Sequence, residues 1–281
     1  LRAPRFPVDW DGFYSPQLYR SVELHIRLWE AEREKIRIEV PEDPLDRIRV
    51  HEWQGLRFQT LDGVDALVYQ ALHALRHILN NWCRLSILFE IANFLDQRAG
   101  DTAFWEEFNK RIRRRRLLPE AAGVVFAVAA RLFSVPIPGR AAAFPIPTAV
   151  LSAWVERYGL SSALENFSGN KFSLFLHREF VESDAGWREV RRRRLFPMQS
   201  PLHAAKVLTQ RASSRTAARW RQCKHAARRF RYHLISALLY ALHWPLWRRT
   251  RKRLSEEGLW RRPSGVAGAA GSVRTVVESF D

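Results

Sequence analysis

Glu23, His25 and Arg27 lie at alternate positions of one short segment, and their side chains could do chemistry together. The residues around them alternate strictly between apolar and polar, which predicts a half-buried strand with one face on a core. The other face would then carry a carboxylate, an imidazole and a guanidinium. Such a face could form part of an active site, or it could be an ordinary solvated strand surface. The apolar residues of the segment are Val22, Leu24, Ile26 and Leu28.

A second pair of candidate residues, His73 and His77, lies on the most strongly patterned helix, predicted at about 63–80. Residues four apart share one helix face, and two histidines placed so could bind zinc. The metalloprotease pattern requires a glutamate directly after the first histidine, whereas Ala74 follows His73. We therefore favour a role in orienting an arginine or a carboxylate where a small sheet meets a helical bundle.

The elements that must position these residues are mostly helical. Apolar residues at the 3.6-residue period predict the helix at about 63–80, with Asp62 as its N-cap and Asp65 completing a capping box. Short connections between successive helices favour an antiparallel bundle. The fold class is therefore mainly α with a small β remnant (α+β). Further helices are predicted at about 83–97, 102–117, 119–133, 148–158, 160–167, 171–182 and 202–229, and extended segments at 21–28, 34–40 and 56–60, with 45–53 open between helix and strand.

These elements predict four parts along the chain: residues 1–60, a small α/β part; 61–200, the helical bundle; 201–261, a basic helical extension; and 262–281, a disordered tail rich in Gly, Ala, Ser and Val. An apolar run at 230–247 is too short and too polar to span a bilayer. It could lie at a membrane interface or pack on the bundle, and the second interpretation is favoured.

Charge is distributed unevenly. Residues 1–110 hold 14 basic and 18 acidic residues, a net −4, whereas residues 111–281 hold 32 basic and 11 acidic residues, a net +21. This excess predicts an anionic partner for residues 111–253, which could be a membrane surface, nucleic acid or a phosphorylated substrate. Only six of the 46 basic residues are lysine, so an arginine bias typical of a GC-rich bacterial genome is the competing explanation.

Cysteine usage bears on the compartment. The two cysteines, Cys83 and Cys223, stand in unrelated helical contexts and form no disulfide framework. This suits the reducing cytoplasm, with a peripheral position on a membrane as the alternative location.

Several short motifs, in their order and spacing, carry a family resemblance. Over roughly residues 15 to 200 the chain resembles the family of uncharacterised nucleotidyltransferases, which is related to the polymerase-β-type enzymes. Its members carry a similar strand, a helix with two histidines, a following helix and a later basic-aromatic-proline element. The matching segments here are Val22-Glu23-Leu24-His25, His73 to His77, Glu90-Ile91-Ala92, Phe104-Trp105 and Arg194-Leu195-Phe196-Pro197.

The resemblance implies a function. It implies metal-dependent nucleotidyl transfer from a nucleoside triphosphate to an acceptor that the sequence does not name, with Mg²⁺ as the cofactor. Glu23 matches the third metal-binding carboxylate, and His25 and Arg27 could flank a phosphate. His73 and His77 match family histidines on the substrate side. Glu90 stands where the family usually has an aspartate, so a short-range contact at that position would change.

The chain departs from the family in one important respect. No glycine-serine turn followed by a carboxylate pair is found upstream of Glu23, and Asp9-Trp10-Asp11 lies too close to Glu23 to serve, so we interpret it as a turn. The sequence begins at Leu1, and its only methionine is Met198. We therefore expect a fragment or a degenerate member that is inactive alone. The alternative function is a non-catalytic basic helical module that binds an anionic partner.

Overall fold

Helices make up most of the chain, as the apolar periodicity predicts. The structure, a computed structural model, describes residues 29, 31–81, 83–137, 144–164, 170–197 and 214–260. The mainly α class with a small β part is confirmed. The helices are α1 Ala31–Glu34, α2 Gly63–Leu79, α3 Leu85–Gln97, α4 Thr102–Ile112, α5 Leu118–Phe133, α6 Ala149–Trp154, α7 Leu160–Leu164, α8 Ser173–His177, α9 Asp184–Leu195 and α10 Arg215–Trp260, with 3₁₀ turns at Pro44–Arg47 and Arg178–Phe180 and a π turn at Val155–Gly159.

The start of α2 is set by its capping residue. The Asp62 carboxylate accepts a hydrogen bond from the backbone N–H of Asp65 at 2.7 Å, which satisfies one of the free donors of the first turn. The predicted N-cap is therefore confirmed. Along the helix the apolar stripe is fully buried, and Leu72 and Leu75 have no exposed surface.

The centre of the bundle is α5, which contacts α2, α3, α4 and α6. Its sequence is rich in alanine and valine, so neighbouring helices can approach closely. At Gly123 the backbone of another segment comes very close to α5. A Cβ atom at this position would lie 3.0 Å from the carbonyl oxygen of Pro145 and 3.1 Å from the nitrogen of Pro147. The proline-rich segment around Pro145 and Pro147, which connects α5 to α6, therefore crosses directly over α5.

The strands form a two-stranded antiparallel hairpin, β1 Arg49–Trp53 and β2 Leu56–Thr60. The ambiguity at 45–53 is resolved into a 3₁₀ turn followed by β1. The turn uses Gln54 and Gly55, both with positive φ (50° and 77°), which matches the twist of a tight hairpin. The hairpin is exposed along nearly its whole length.

Segment 34–40 differs from the predicted strand. Ile36 forms one isolated antiparallel bridge with Val181, and the Arg37 N–H donates to the carbonyl of Phe180 at 3.1 Å. Ile36 and Ile38 are buried, as the alternation predicts, whereas Val40 is exposed. The pairing is too brief to make a strand because the segment then turns towards Arg116, whose carbonyl accepts from the Glu39 N–H. The predicted strand at 21–28 lies outside the described residues.

The basic segment and the apolar run after it form one long helix, α10. Residues 202–213 of the predicted basic helix and the tail from 262 lie outside the described residues. The apolar run packs on the bundle, as favoured from the sequence: Tyr240 and Trp247 are buried, and their rings lie 4.8 and 5.7 Å from that of Phe175. The π turn of Val155–Gly159 brings Tyr158 against the same helix, at His243.

Candidate functional site: a polar cluster beside helix α2

The predicted site residues divide into two groups. Glu23, His25 and Arg27 lie outside the described residues, so their roles stay predictions. His73 and His77 are described and lie one turn apart on α2. Their Nε2 atoms are 3.0 Å apart and their ring centroids 4.6 Å apart.

This histidine contact fixes how the two rings share protons. A hydrogen bond between two Nε2 atoms requires one ring to donate and the other to accept, so the two imidazoles must be different tautomers. Both cannot carry a proton at Nε2 in this arrangement. When both rings are neutral, the remaining hydrogen-bonding groups of the pair are the two Nδ1 atoms, one a donor and the other an acceptor.

Asn80 and Asn81 continue the same α2 face by another turn. The Asn80 side-chain amide donates to Glu34 Oε1 at 3.4 Å, and the other carboxylate oxygen of Glu34 is buried without a hydrogen-bond partner among the described residues. The Asn81 amide donates to the carbonyl oxygen of Asn170 at 2.5 Å. The histidine pair therefore lies on a polar stripe that leads from α2 into the contact with α8.

Arg194, His177 and Ser173 form the middle of this cluster. Arg194 Nη1 lies 3.2 Å from His177 Nδ1, and Arg194 Nη2 donates to Ser173 Oγ at 3.3 Å. A guanidinium can only donate, so His177 Nδ1 must accept and its proton must sit on Nε2. Nε2 lies 2.8 Å from the carbonyl oxygen of Glu34, which can accept that proton's hydrogen bond. Ser173 Oγ also contacts Asn81 Oδ1 and the carbonyl oxygen of Leu79.

Electrostatics agree with this proton placement. Burial, and then the charge of Arg194, lowers the pKa of His177 to about 3, so the imidazole stays neutral at ordinary pH. Burial also lowers the pKa of Arg194 to about 10, which leaves the guanidinium charged. Among the described residues, no carboxylate forms an ion pair with this guanidinium.

Lys171 adds a second buried cation. Its Nζ donates to the carbonyl oxygens of Arg194 at 2.5 Å and Leu195 at 3.2 Å, and lies 3.1 Å from His233 Nδ1. The ammonium therefore caps the last turn of α9, where carbonyl groups lack helical partners. Burial, and then Arg194, lowers the pKa of Lys171 to about 8. Burial, then Lys171, lowers the pKa of His233 to about 4.

A second charged cluster lies at the opposite end of α2. The buried Asp65 carboxylate pairs with Arg47 at 2.7 Å and Arg111 at 2.9 Å, and Arg111 also pairs with Asp62 at 3.1 Å and Glu107 at 2.7 Å. Burial opposes the charge of Arg111, but hydrogen bonds with Glu107, Asp65 and Asp62 more than offset it and raise the pKa of the guanidinium. This cluster joins the hairpin base, α2 and α4, and we assign it a structural role.

The chain has arginine-rich runs at 111–116, 191–194 and 248–253. Fewer of these arginines are free to bind a partner than the sequence indicates. Arg115 pairs with Glu42 at 3.1 Å and Arg116 with Glu182 at 3.0 Å, and Arg251 pairs with Glu179 at 2.6 Å. Arg193 and Arg194 are also engaged within the fold. Part of the basic excess is therefore neutralised within the fold, by Glu42 of the acidic first part and by Glu179 and Glu182 of the basic part itself. The exposed remainder is concentrated on α10.

The described residues do not form a metal-binding cluster. No set of three or more His, Cys, Asp and Glu side chains in that part of the chain could hold a metal ion. The acidic pair Asp62 and Asp65 is already neutralised by arginines. The role of Glu23 as a metal-binding carboxylate stays a prediction.

Sequence reasoning missed the role of Arg194, His177, Lys171 and His233 in this cluster. In the sequence Arg194 stands out only as the last residue of the run Arg191–Arg194 and as part of a family motif. The contacts cross 143 positions from His177 to Glu34 and 62 from Lys171 to His233. No local pattern signals a pairing at such separations, so only the packing of α8, α9 and α10 on α2 could find it.

Comparison with known proteins finds a family similarity for residues 7–134, slightly less than half of the chain. In particular, the model of the family described as uncharacterised nucleotidyltransferase matches residues 7–134, which confirms the resemblance over that segment. The match includes His73 and His77 and ends before α6. The later Arg194–Pro197 motif lies outside it. No curated protein matches the chain, and no solved structure matches it.

Proposed function

We propose that residues 7–134 take part in metal-dependent nucleotidyl transfer, with Glu23 as one of the carboxylates that bind Mg²⁺. The family match over this segment is the observation that carries the proposal. When bound, Mg²⁺ would neutralise the phosphate charge that develops during transfer. A nucleoside triphosphate is the donor, and the acceptor is a molecule whose class neither half of the chain specifies.

In this proposal the described histidines act on the substrate side. His73 and His77 hold one shared proton position between Nε2 atoms 3.0 Å apart, and the polar stripe continues to Asn80 and Glu34. An imidazole pair of this kind can donate to a phosphate oxygen or accept from a hydroxyl. His25 and Arg27 would flank the phosphates from the same segment as Glu23.

We further propose that these 281 residues do not transfer nucleotides by themselves. One matched carboxylate is too few for the two-metal arrangement of this class, and the glycine-serine turn with its carboxylate pair is not found in the sequence. The purified chain should therefore leave all four labelled nucleoside triphosphates intact in the presence of Mg²⁺. Turnover that Glu23→Gln abolishes would overturn the inactivity and support the role of Glu23, whereas turnover that survives Glu23→Gln would overturn both.

Nucleotide binding tests the histidines separately from turnover. Equilibrium dialysis with a labelled Mg²⁺–nucleoside triphosphate should show retention that falls several-fold in the His73→Ala/His77→Ala variant. His51→Ala is a matched control, because His51 is exposed on the hairpin and its ring stacks on Phe58. Equal loss in the control variant, or no loss in the double variant, would contradict the substrate-side role.

A second candidate function is binding of an anionic partner through the basic half of the chain. The exposed arginines of α10 favour it, because no acidic residue occurs between Arg215 and Ser255. Retention on an anionic surface should then fall steeply with salt. On duplex DNA, each neutralised phosphate contributes a log–log slope of about −0.9. Failure to bind any anionic surface at low salt would leave the arginine content as a genomic bias.

A further inference from the structure

The outward face of α10 carries a continuous apolar stripe. Its members are between 42% and 74% exposed, and their spacing of three to four residues places them on one side of the helix. We call this surface the α10 stripe, and it extends for about 18 Å at 1.5 Å per residue. The stripe consists of Leu234, Ile235, Leu238, Leu242 and Leu246.

The orientation of the stripe is fixed by the inner face of the same helix. Ser236, Tyr240 and Trp247 are buried against the bundle, and Arg251 is tied to Glu179 through two hydrogen bonds of 2.6 and 3.3 Å. Rotating α10 to bury the stripe would expose these aromatic side chains. The large aliphatic side chains therefore stay at the surface for a reason other than the packing of this fold.

Cations stand at both ends of the stripe and on the same face. Arg228 and Arg231 precede Leu234, and Arg249 follows Leu246, each with an exposed side chain. Arg231 and Arg249 are 18 residues apart, five turns of an ideal helix, which places both on the side of the leucines. Pro245 lies in the helix between them, so this alignment holds to within the bend that an interior proline introduces. Along the helix this face therefore carries cationic side chains, then apolar side chains, then cationic side chains again.

We propose that this face rests on an anionic lipid bilayer, with the leucines inserted among the lipids and the arginines at the headgroups. This rests on the anionic-partner function and names the partner. Interfacial helices combine an apolar face with flanking arginines in this way, and arginine stems can lie along apolar surface while their guanidinium groups reach phosphates. None of the helices in the described ranges is long and apolar enough to cross a membrane, so the helix lies along the surface.

Binding to nucleic acid would account for the arginines of this face but not for its apolar side chains. Duplex phosphates would satisfy the arginines, but their backbone offers no apolar surface, and five large aliphatic side chains would stay in water. An anionic bilayer satisfies both parts of the pattern. Charge complementarity together with the aligned leucines therefore selects lipid over nucleic acid.

The test is co-sedimentation of the full chain with two kinds of vesicle, phosphatidylcholine alone and phosphatidylcholine with about one third phosphatidylserine. Each is measured at low and at high salt. Retention on duplex DNA is measured under the same conditions. Wild type should bind only the anionic vesicles. The partition coefficient should fall about tenfold or more in Leu238→Ser/Leu242→Ser, since each removes apolar insertion, and similarly in Arg231→Gln/Arg249→Gln.

Two control variants separate this face from general surface effects. Val50→Ser/Leu56→Ser removes equally exposed aliphatic side chains from the hairpin. Arg113→Gln/Arg114→Gln removes two exposed charges from the connection between α4 and α5. Both should bind like wild type, and circular dichroism should show unchanged melting for all four variants.

The outcomes also separate this inference from the function it rests on. Salt-sensitive DNA binding that ignores the leucine substitutions would overturn the bilayer proposal and leave the anionic-partner function standing. No retention on any surface would overturn both. Equal binding to neutral vesicles would overturn the requirement for anionic lipid. If the wild-type chain binds no vesicles and forms a dimer that Leu238→Ser/Leu242→Ser converts to a monomer, a second copy of the chain covers the α10 stripe and the bilayer proposal is overturned.

Discussion

The guanidinium of Arg194 and the imidazole of His177 are joined through Nη1 and Nδ1 at 3.2 Å. This contact determines the tautomer of His177, because the arginine can only donate. Through Nε2 the same ring reaches the carbonyl oxygen of Glu34. One neutral histidine therefore links α9 to the segment that precedes the hairpin, across 143 positions of sequence.

The first prediction concerns acid stability. The pKa of His177 is lowered to about 3 in the fold, against an ordinary value of 6.5. Between these two pH values the imidazole is protonated in the unfolded chain and neutral in the folded chain. The stability that the neutral His177 imidazole contributes to folding is fully present above pH 6.5 and is lost as the pH falls from there towards 3. Lowering the pH from 7 to 5 should remove about 2 kcal/mol through this group, measured by urea unfolding at both pH values.

The variant His177→Gln isolates this contribution. It should be less stable at pH 7 but lose less stability than wild type between pH 7 and 5, since the titrating ring is gone. Other groups titrate equally in both proteins and cancel in the difference. An identical pH dependence in the two proteins would show that His177 is not held neutral by its buried contacts.

The second prediction concerns the charged cluster at the start of α2. Asp65→Asn should destabilise the fold by about 3 kcal/mol, because it leaves Arg47 and Arg111 without their buried carboxylate. Glu107→Gln is the matched control: Glu107 pairs with the same Arg111, but its side chain is 44% exposed against 2% for Asp65. It should cost less than about 1 kcal/mol. Equal costs in denaturant unfolding would contradict the importance of burial at Asp65.

The third prediction concerns the core of the bundle. Leu72→Asp should prevent folding, because it places an unpaired charge where the side chain has no exposed surface, at a cost of several kcal/mol. Leu85→Asp is the control, since Leu85 is 42% exposed in the first turn of α3, where an acidic residue suits the helix dipole. Circular dichroism should show a cooperative melt for the second variant alone. A normal melt for Leu72→Asp would refute the burial of this α2 face.

The fourth prediction concerns the crossing of the proline-rich connection over α5. Gly123→Ala should destabilise by about 1–2 kcal/mol, although alanine favours helix, because its Cβ would meet the backbone of Pro145 and Pro147 at 3.0–3.1 Å. Gly100→Ala should be close to neutral, since nothing lies within 4 Å of a Cβ at that position. Thermal melting compares the two. A stabilised Gly123→Ala protein would mean that the connection shifts away easily.

The sequence by itself determined the elements whose information is local. The apolar period of α2, the cap at Asp62 and the helical class follow from neighbouring residues, because backbone capping and amphipathic spacing act over a few positions. The family resemblance depends on short ordered motifs and was likewise accessible. Residues four apart on a helix share a face, so the proximity of His73 and His77 could also be foreseen.

Only the tertiary structure decided which distant side chains meet. The single bridge at Ile36, the exposure of the hairpin, and the cluster of Arg194, His177 and Lys171 depend on how separate elements pack, and local propensity carries no information about that. The same holds for α10: its composition shows leucines and arginines, but only the burial of Tyr240 and Trp247 fixes which of them face outward. Packing selects the inner face of the helix, and the surface available for a partner is what remains.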